Sequence, residues 1–309
     1  MPLFGLGYGN RGGHRGGFKM RLIIALVIGA IALFMYFSRT EVNPVTGEKQ
    51  RIAMSVEQEK ALGLQAAPQM AEQMGGVLDH KRDPMARFVV EVGNRIVTES
   101  DAKRSPYVGN YNFYLLADDE SINAFALPGG QIFITRALLS KLDNEAQLAG
   151  VLGHEIGHVI NRHAAEHMAK GQLGQMLATA VAVGASGDER GQMAGMAAMM
   201  VNQMMQLRFS RQDETESDDY GVRYMAQAGY DPTEMLHVMK VLAEASKGAH
   251  PPEMLATHPN PEKRHEDIKA MLAKAYPNGI PAQLTKGRAL EGEPMLGGER
   301  QVPAKRDQW

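Results

Sequence analysis

Residues 149–163 read AGVLGHEIGHVINRH, and this stretch decides how the rest of the chain is interpreted. It holds His154 and His158 four residues apart, with Glu155 directly after the first histidine. Side chains four residues apart lie on one face of an α-helix, close enough to bind one zinc ion. Glu155 takes the general-base position of the H-E-x-x-H pattern. Burying these polar side chains in an apolar helix without a ligand would be costly, so the stretch predicts a metal centre.

A catalytic zinc ion needs a third protein ligand, and the acidic segment RQDETESDDYG at 211–221 offers candidates. Glu214 and Asp218 are four residues apart and share one helix face, so we assign Glu214 as the ligand. Asp218 then accepts the N–H of a ligating histidine. Glu216 remains an alternative ligand. His163 falls off the ligand face of a continuous helix and receives a structural, hydrogen-bonding role. The expected cofactor is one Zn²⁺ per chain.

The composition fits a mostly globular protein and excludes several kinds of chemistry. The chain has 309 residues, of which 44% are hydrophobic and 22% charged, so a sizeable core is expected. The formal net charge of −2 gives no reason to expect nucleic acid as a partner. The sequence contains no cysteine, which excludes disulfides, thiolate zinc ligands and a cysteine nucleophile.

The N-terminal part predicts a membrane anchor. Residues 1–20 are glycine-rich and basic, which is typical of a flexible tail, and 21–39 form the expected transmembrane helix and bilayer contact. The positive-inside rule places the N-terminus in the cytoplasm and the catalytic domain in the periplasm of a bacterial inner membrane. The basic residues that precede the anchor are Arg11, Arg15, Lys19 and Arg21.

Beyond the anchor, the sequence divides into a turn-rich linker at 40–54, a metallopeptidase domain at 55–275 and a tail at 276–309. The tail is rich in proline, glycine and charge, so we expect it to be poorly ordered. Inside the domain, residues 171–207 are rich in Met and Ala and predict a helical hairpin. The hairpin belongs either to the core or to a flap that touches the membrane.

Local patterns also place the site on particular elements. The segments 110–118 and 131–135 predict strands on either side of INAFALPGG, whose Pro-Gly-Gly marks a turn. The helix with the H-E-x-x-H motif is expected to start at Asn144 and to continue past His163.

Three motifs together resemble a known family. HEIGHVINRH, RQDETESDDYG and THPNPEKR are similar to segments of the membrane-associated zinc metallopeptidases typified by HtpX and the CAAX-prenyl endopeptidase. The resemblance covers about residues 55–270. It implies an α+β, mainly α fold: a minimal zincin domain of the gluzincin type, with a small β-sheet beside the active-site helix and one transmembrane helix before it. The resemblance implies that His154, His158 and Glu214 are the zinc ligands and that Glu155 is the general base. It also implies that Asp218 accepts a hydrogen bond from a ligating histidine.

The resemblance also implies roles for residues outside the two main motifs. His258 and Arg264 match a loop that lies over the site in relatives, where His258 acts either as a fourth, inhibitory ligand or as a transition-state stabiliser. The substrate is expected to lie as an extended chain along an edge strand that includes Asn123, Ala124 and Phe125.

The function predicted on this basis is that of a membrane-anchored zinc metalloendopeptidase. Its substrates are expected to be misfolded or unassembled membrane and envelope proteins, which is an implication of the resemblance. An alternative is a membrane-anchored chaperone or assembly factor with a closed, regulated zinc site. A third interpretation, an envelope solute-binding protein with an incidental motif, predicts no bound zinc.

Overall fold

Helices dominate the computed structural model, which describes residues 14–52, 54–186, 207–247 and 252–290. The helices are α1 His14–Ser38, α2 Val56–Gln73, α3 Pro84–Glu99, α4 Arg136–Leu139, α5 Glu145–Ile160, α6 His163–Ser186, α7 Arg211–Gln227, α8 Glu234–Ala245, α9 Met254–Thr257 and α10 Pro261–Ala275. The strands are β1 Thr40–Val42, β2 Lys49–Arg51, β3 Asn112–Leu116, β4 Ala124–Leu127 and β5 Gln131–Thr135. The fold is α+β and mainly α, a zincin-type domain with a small sheet beside its central helix, as the resemblance implied.

The central helix α5 is buried along its whole length and begins at the predicted cap, Asn144. The expectation that it continues past His163 is wrong, because α5 ends at Ile160 and α6 starts at His163. Arg162 lies between them in the left-handed region, with φ of 58°. Its guanidinium donates to the buried carboxylate of Glu59, 2.8 Å away, and this long-range contact holds the corner.

Helices α5 and α7 pack with their backbones unusually close because glycines line the contact. A Cβ on Gly157 would lie 2.9 Å from the Cα of Ser217, nearer than real Cβ atoms come. A Cβ on Gly153 would lie 3.3 Å from the Cα of Gly221. This close approach brings the acidic side chains of α7 to the histidines of α5.

The three-stranded sheet has the order β3-β5-β4, with β3 parallel and β4 antiparallel to the buried middle strand. The predicted strand at 131–135 is confirmed, and the one at 110–118 is shortened to Asn112–Leu116. Within the described part of the chain, β4 pairs with β5 alone, so its other edge makes no strand pairing.

The segment expected as a linker forms the β1–β2 hairpin, which caps the C-terminal end of α5. The side-chain amide of Asn43 donates to the carbonyl of Ile160 at 2.8 Å, and that of Gln50 donates to the carbonyl of Asn161. Both carbonyls lie at a helix end, where no intrahelical donor is available. Hydrogen bonds therefore connect the C-terminal end of α5 to the hairpin that follows α1.

Helix α1 begins at His14, so residues 14–20 are helical rather than part of a flexible tail, while 1–13 lie outside the described residues. Among the described helices, only the stretch Lys19–Ser38 is long and apolar enough to cross a membrane, with a mean hydropathy of 2.3. The finding rests on length and composition.

Two other expected segments are described in part. Residues 276–290 were expected to be poorly ordered, yet they pack on the domain: Ala289 pairs with Asn144, and Arg288 donates to Glu145 at 3.0 Å. Residues 291–309 lie outside the described part. Of the expected hairpin at 171–207, the structure describes helix α6 as far as Ser186, and 187–206 are not described.

Candidate metal centre

Four buried side chains each bring one donor atom to a common point, and these atoms lie within 4.8 Å of one another. The Nε2 atoms of His154 and His158, on α5, are 3.0 Å apart. The Nδ1 atom of His258 lies 3.3 Å from Nε2 of His154 and 3.0 Å from Oε1 of Glu214, on α7. The structure thus brings the three predicted ligands together with His258, the residue expected either as a fourth ligand or as a transition-state stabiliser, which follows α9.

The chemistry of this donor set fits a metal ion. The Nδ1 atom of His154 lies 2.9 Å from Oδ1 of Asp218, and that of His158 lies 2.9 Å from Nδ1 of His163. With the protons on these Nδ1 atoms, both Nε2 lone pairs face the common point, where a bound cation would relieve their repulsion. Ligands of a tetrahedral zinc ion lie roughly 3.3 Å from one another, which matches the observed spacing.

Asp218 and Arg264 form a buried ion pair behind His154. Arg264 donates from Nε to Oδ2 of Asp218 at 2.8 Å, and its Nη1 atom lies 2.8 Å from Oε2 of Glu214. Burial alone would raise the pKa of Asp218, but the guanidinium and His154 lower it to about 2. Arg264 was expected in a loop over the site, whereas it lies on α10, buried against both acids.

His163 and Glu216 extend the hydrogen bonds of His158 in the same way. With its proton on Nδ1, His158 donates to Nδ1 of His163, which then donates from Nε2 to Oε2 of Glu216 at 3.1 Å. This contact is the main reason why the pKa of Glu216 is lowered. The predicted hydrogen-bonding role of His163 matches this arrangement, whereas the alternative of Glu216 as a metal ligand does not.

The electrostatics of the donors reflect their burial and their neighbours. Burial, together with three nearby histidines and Arg264, lowers the pKa of His158 well below its usual value. Burial would also lower the pKa of His258, but the carboxylates of Glu214 and Glu155 raise it. Although burial would raise the pKa of Glu214, His258 and Arg264 lower it. The carboxylate therefore stays ionised, as a metal ligand must be.

Glu155 stands beside the donor atoms with its carboxylate buried. Neither oxygen accepts a hydrogen bond from any part of the chain that the structure describes, and Oε1 lies 3.8 Å from Nε2 of His258. A buried carboxylate without such partners is costly, so its position indicates a use other than stability.

A cavity of about 320 Å³ connects His258 with strand β4. Asn123 and Phe125 line it, and the backbone N–H of Asn123 donates to Oγ1 of Thr135 at 3.1 Å. Ala124 is fully buried between them. Two of the three expected edge-strand residues, Asn123 and Phe125, thus line the same cavity as one residue of the donor cluster, His258. The apolar side chains that line the cavity include Met70, Met74, Leu127, Leu207 and Phe209.

One neighbour of the donors was missed by sequence reasoning. The ring of Phe209 packs on the ring of His158, with centroids 4.0 Å apart. Its backbone N–H donates to the carbonyl of Thr257 at 3.0 Å, which ties the segment before α7 to the segment that carries His258. Only the proximity of Phe209 to the acidic segment could have singled it out.

An H-E-x-x-H helix that meets a carboxylate from a second helix beside a small sheet defines the zincin class of metallopeptidase domains. Comparison with known families agrees: peptidase family M48 matches residues 86–272. The chain belongs to this family, and the membership predicted from the three motifs is confirmed.

Curated relatives are similar over most of this chain. The beta-barrel assembly-enhancing protease of Escherichia coli K12 is 31% identical over 280 residues, which cover 87% of this chain and 55% of the relative. That of Yersinia pestis is 33% identical over 238 residues, covering 73% and 46%. The mitochondrial metalloendopeptidase OMA1 of Saccharomyces cerevisiae is 28% identical over 272 residues, covering 82% and 75%. The chain spans about half the length of the two bacterial relatives.

Proposed function

We propose that this chain is a membrane-anchored zinc metalloendopeptidase. The observation that carries the proposal is the convergence of buried donors from α5 and α7 next to the carboxylate of Glu155, at the end of a cavity bordered by a free strand edge. Membership of peptidase family M48 supports the same reaction class.

The protein residues that would hold zinc are His154, His158 and Glu214, since two imidazoles and one carboxylate are a common catalytic zinc set. When bound, zinc supplies Lewis-acid polarisation of the scissile carbonyl and of the attacking water. Asp218 holds the tautomer and orientation of His154, and His163 does the same for His158. Glu155 takes the proton of the attacking water and passes it to the leaving amine.

The proposed substrate is an extended chain that pairs with the free edge of β4. Backbone pairing of this kind does not depend on side-chain identity, and the apolar walls of the adjoining cavity favour one apolar side chain. Both features suit unfolded or unassembled proteins of the membrane and envelope. The bacterial relatives are named beta-barrel assembly-enhancing proteases, and this name connects those proteins with the assembly of other proteins.

The proposed location is the bacterial inner membrane, with α1 as the anchor and the catalytic domain in the periplasm. The apolar stretch Lys19–Ser38 and the basic residues before and at its start support this orientation. The proposed metallopeptidase domain comprises 55–275, and residues 276–290 pack on it.

Removal of the metal tests the proposal. The full-length protein in mild detergent should contain one zinc per chain and cleave reduced casein. A chelator should abolish cleavage, and stoichiometric zinc should restore it. Because a ligand stabilises the state that binds it, zinc at about 1,000 times its Kd should add roughly 4 kcal/mol to the free energy of unfolding. Metal analysis, gel-based cleavage and thermal unfolding measure these three results.

A matched variant makes this test specific. His237 is half-exposed on α8, away from the donors, so His237→Ala should keep its zinc and its activity. His158→Ala should lose both while remaining folded. Zinc binding that survives His158→Ala would contradict the assignment.

The chain of hydrogen bonds behind His158 predicts a measurable change in metal affinity. His163→Phe removes the acceptor for Nδ1 of His158, and loss of such an outer partner typically weakens metal binding by about 10- to 100-fold. His167→Phe is the matched control, because His167 pairs with Asp213, 2.7 Å away, and not with His158. Competition against a fluorescent zinc chelator gives both affinities. Equal affinities for the two variants would exclude a positioning role for His163.

A second candidate function is that of a latent enzyme or chaperone with a closed site. The observation that favours it is the position of His258, whose Nδ1 atom lies among the other donors as a fourth ligand would. Because a fourth protein ligand excludes water and substrate, His258→Ala should raise the rate of casein cleavage several-fold. A transition-state role predicts the opposite result, a fall in rate. Steady-state cleavage by the two proteins, each with measured zinc content, decides between them.

A further inference from the structure

Helices α1 and α6 pack side by side along much of their length. The side chain of Leu177 on α6 packs against Gly29 of α1, where a Cβ would lie 3.9 Å from Cδ2 of Leu177. Nearer the domain, Tyr36 of α1 and Ala169 of α6 line the same small gap. Residues nearer the C-terminal end of α1 therefore lie beside residues nearer the N-terminal end of α6, so the two helices are antiparallel.

This register sets how far α6 reaches. From Leu177, α6 continues for about nine residues to Ser186, which is roughly 13 Å of helix. From Gly29, about the same number of residues leads back to Met20, next to the start of the apolar stretch Lys19–Ser38. Helix α6 thus runs beside nearly the whole stretch that is able to cross a membrane. If α1 lies in a bilayer, α6 occupies the same depth.

The composition of α6 suits this environment. No charged residue occurs from 171 to 186, and the glutamines at 172 and 175 fall in the half nearest the domain. The last charge before this run is Lys170, which pairs with Glu166 at 3.3 Å close to the domain. Val181, farther out, leaves 73% of its surface exposed.

We propose that the distal part of α6, residues 173–186, is embedded in the lipid bilayer beside α1, so that the anchor is a helix pair. Lipid acyl chains are the proposed occupant of the exposed face around Val181, because Val181 is as exposed and apolar as Val27 and Phe34 on the neighbouring helix α1. Small residues of α1, Gly29 and the buried Ala32, lie where this helix faces α6, as is common between membrane helices.

The consequence concerns the candidate metal centre. Helix α6 starts at His163, which lies 2.9 Å from His158 through their Nδ1 atoms. The bilayer would then hold the domain through two helices. One is α1, which leads into the β1–β2 hairpin, and the other is α6, which begins at His163 beside the donor residue His158. The inference uses α1 as the anchor and does not depend on peptidase activity.

The natural absence of cysteine allows a direct test. Single cysteines replace three exposed valines, in the variants Val181→Cys, Val27→Cys and Val108→Cys. Val27 reports on α1, with 51% of its surface exposed, and Val108 reports on the domain surface, with 49%. Each full-length variant carries a nitroxide label and is reconstituted into phosphatidylcholine vesicles. Electron paramagnetic resonance then measures collision of the label with oxygen, which dissolves in lipid, and with water-soluble chromium oxalate.

The label at Val181 should match the label at Val27, with an oxygen-to-chromium collision ratio several-fold above that at Val108. A ratio at Val181 equal to that at Val108 would show an aqueous surface and overturn the proposal. Low collision with both reagents would show contact with protein, such as a second copy, and would overturn it as well. A water-exposed label at Val27 would remove its basis. Ala178→Cys, at an exposed position one turn nearer the domain, provides a second reporter.

Discussion

Glu155→Gln should reduce cleavage of unfolded protein by about 10²- to 10⁴-fold, the usual contribution of a general acid–base group. The substitution keeps the size of the side chain and removes its ability to take a proton. Neither Glu155 oxygen accepts a hydrogen bond from the described chain, so the substitution breaks no observed hydrogen bond. Zinc content and thermal stability should therefore remain those of the parent protein.

The experiment compares full-length parent and variant, each with measured zinc content, on reduced casein. Glu57→Gln is the matched control, because Glu57 lies on α2 with an exposed side chain that pairs with Lys60. It should retain full activity. Substantial cleavage by zinc-loaded Glu155→Gln would exclude Glu155 as the base, while loss of zinc in the variant would mean that the carboxylate supports metal binding.

Arg264→Met should lower the free energy of unfolding by about 3–5 kcal/mol, the usual effect of removing one partner from a buried ion pair. Arg264 faces the carboxylates of both Asp218 and Glu214, and all three side chains are at least 95% buried. Without the guanidinium, both buried acids lose a cationic partner. Zinc affinity should fall too, because Asp218 then orients His154 less firmly.

Chemical denaturation of the metal-free and zinc-loaded proteins measures this change. The matched control is Arg82→Met, since Arg82 has an exposed side chain that pairs with Asp79 at the surface. Such a pair contributes about 1 kcal/mol or less. Arg264→Lys keeps the charge but cannot form the two-pronged contact with Asp218, so it should lie between the parent and Arg264→Met. Equal stability of Arg82→Met and Arg264→Met would contradict the structural account.

Much of the candidate site follows from spacing within single helices. His154, Glu155 and His158 share one turn of α5, and Glu214 and Asp218 share one face of α7, so each set is defined locally. The glycines that allow close packing of these helices are visible in the sequence, yet their purpose becomes clear only from the contact between α5 and α7. No local sequence pattern connects His258 to α5, so its place near the donors was expected only from the family resemblance.

Other features depend on contacts between distant segments, and sequence reasoning missed them for that reason. The central helix ends at Ile160 because Arg162 turns the chain and is held by Glu59, more than one hundred positions away in the sequence. A propensity argument sees a continuous helical pattern at this point and extends it. The same limit applies to residues 276–290, whose polar composition is typical of disorder although they pair with the start of α5.

The sequence by itself determined the metallopeptidase family, the H-E-x-x-H motif and the long apolar helix near the N-terminus, because these depend on residue types within short segments. Tertiary structure alone decided that His163 contacts both His158 and Glu216. It also decided that Arg264 is buried against two acids and that α6 runs beside α1. Each of these depends on where separate segments meet in space. Such meetings are set by packing of the whole chain, and no single stretch of sequence contains them.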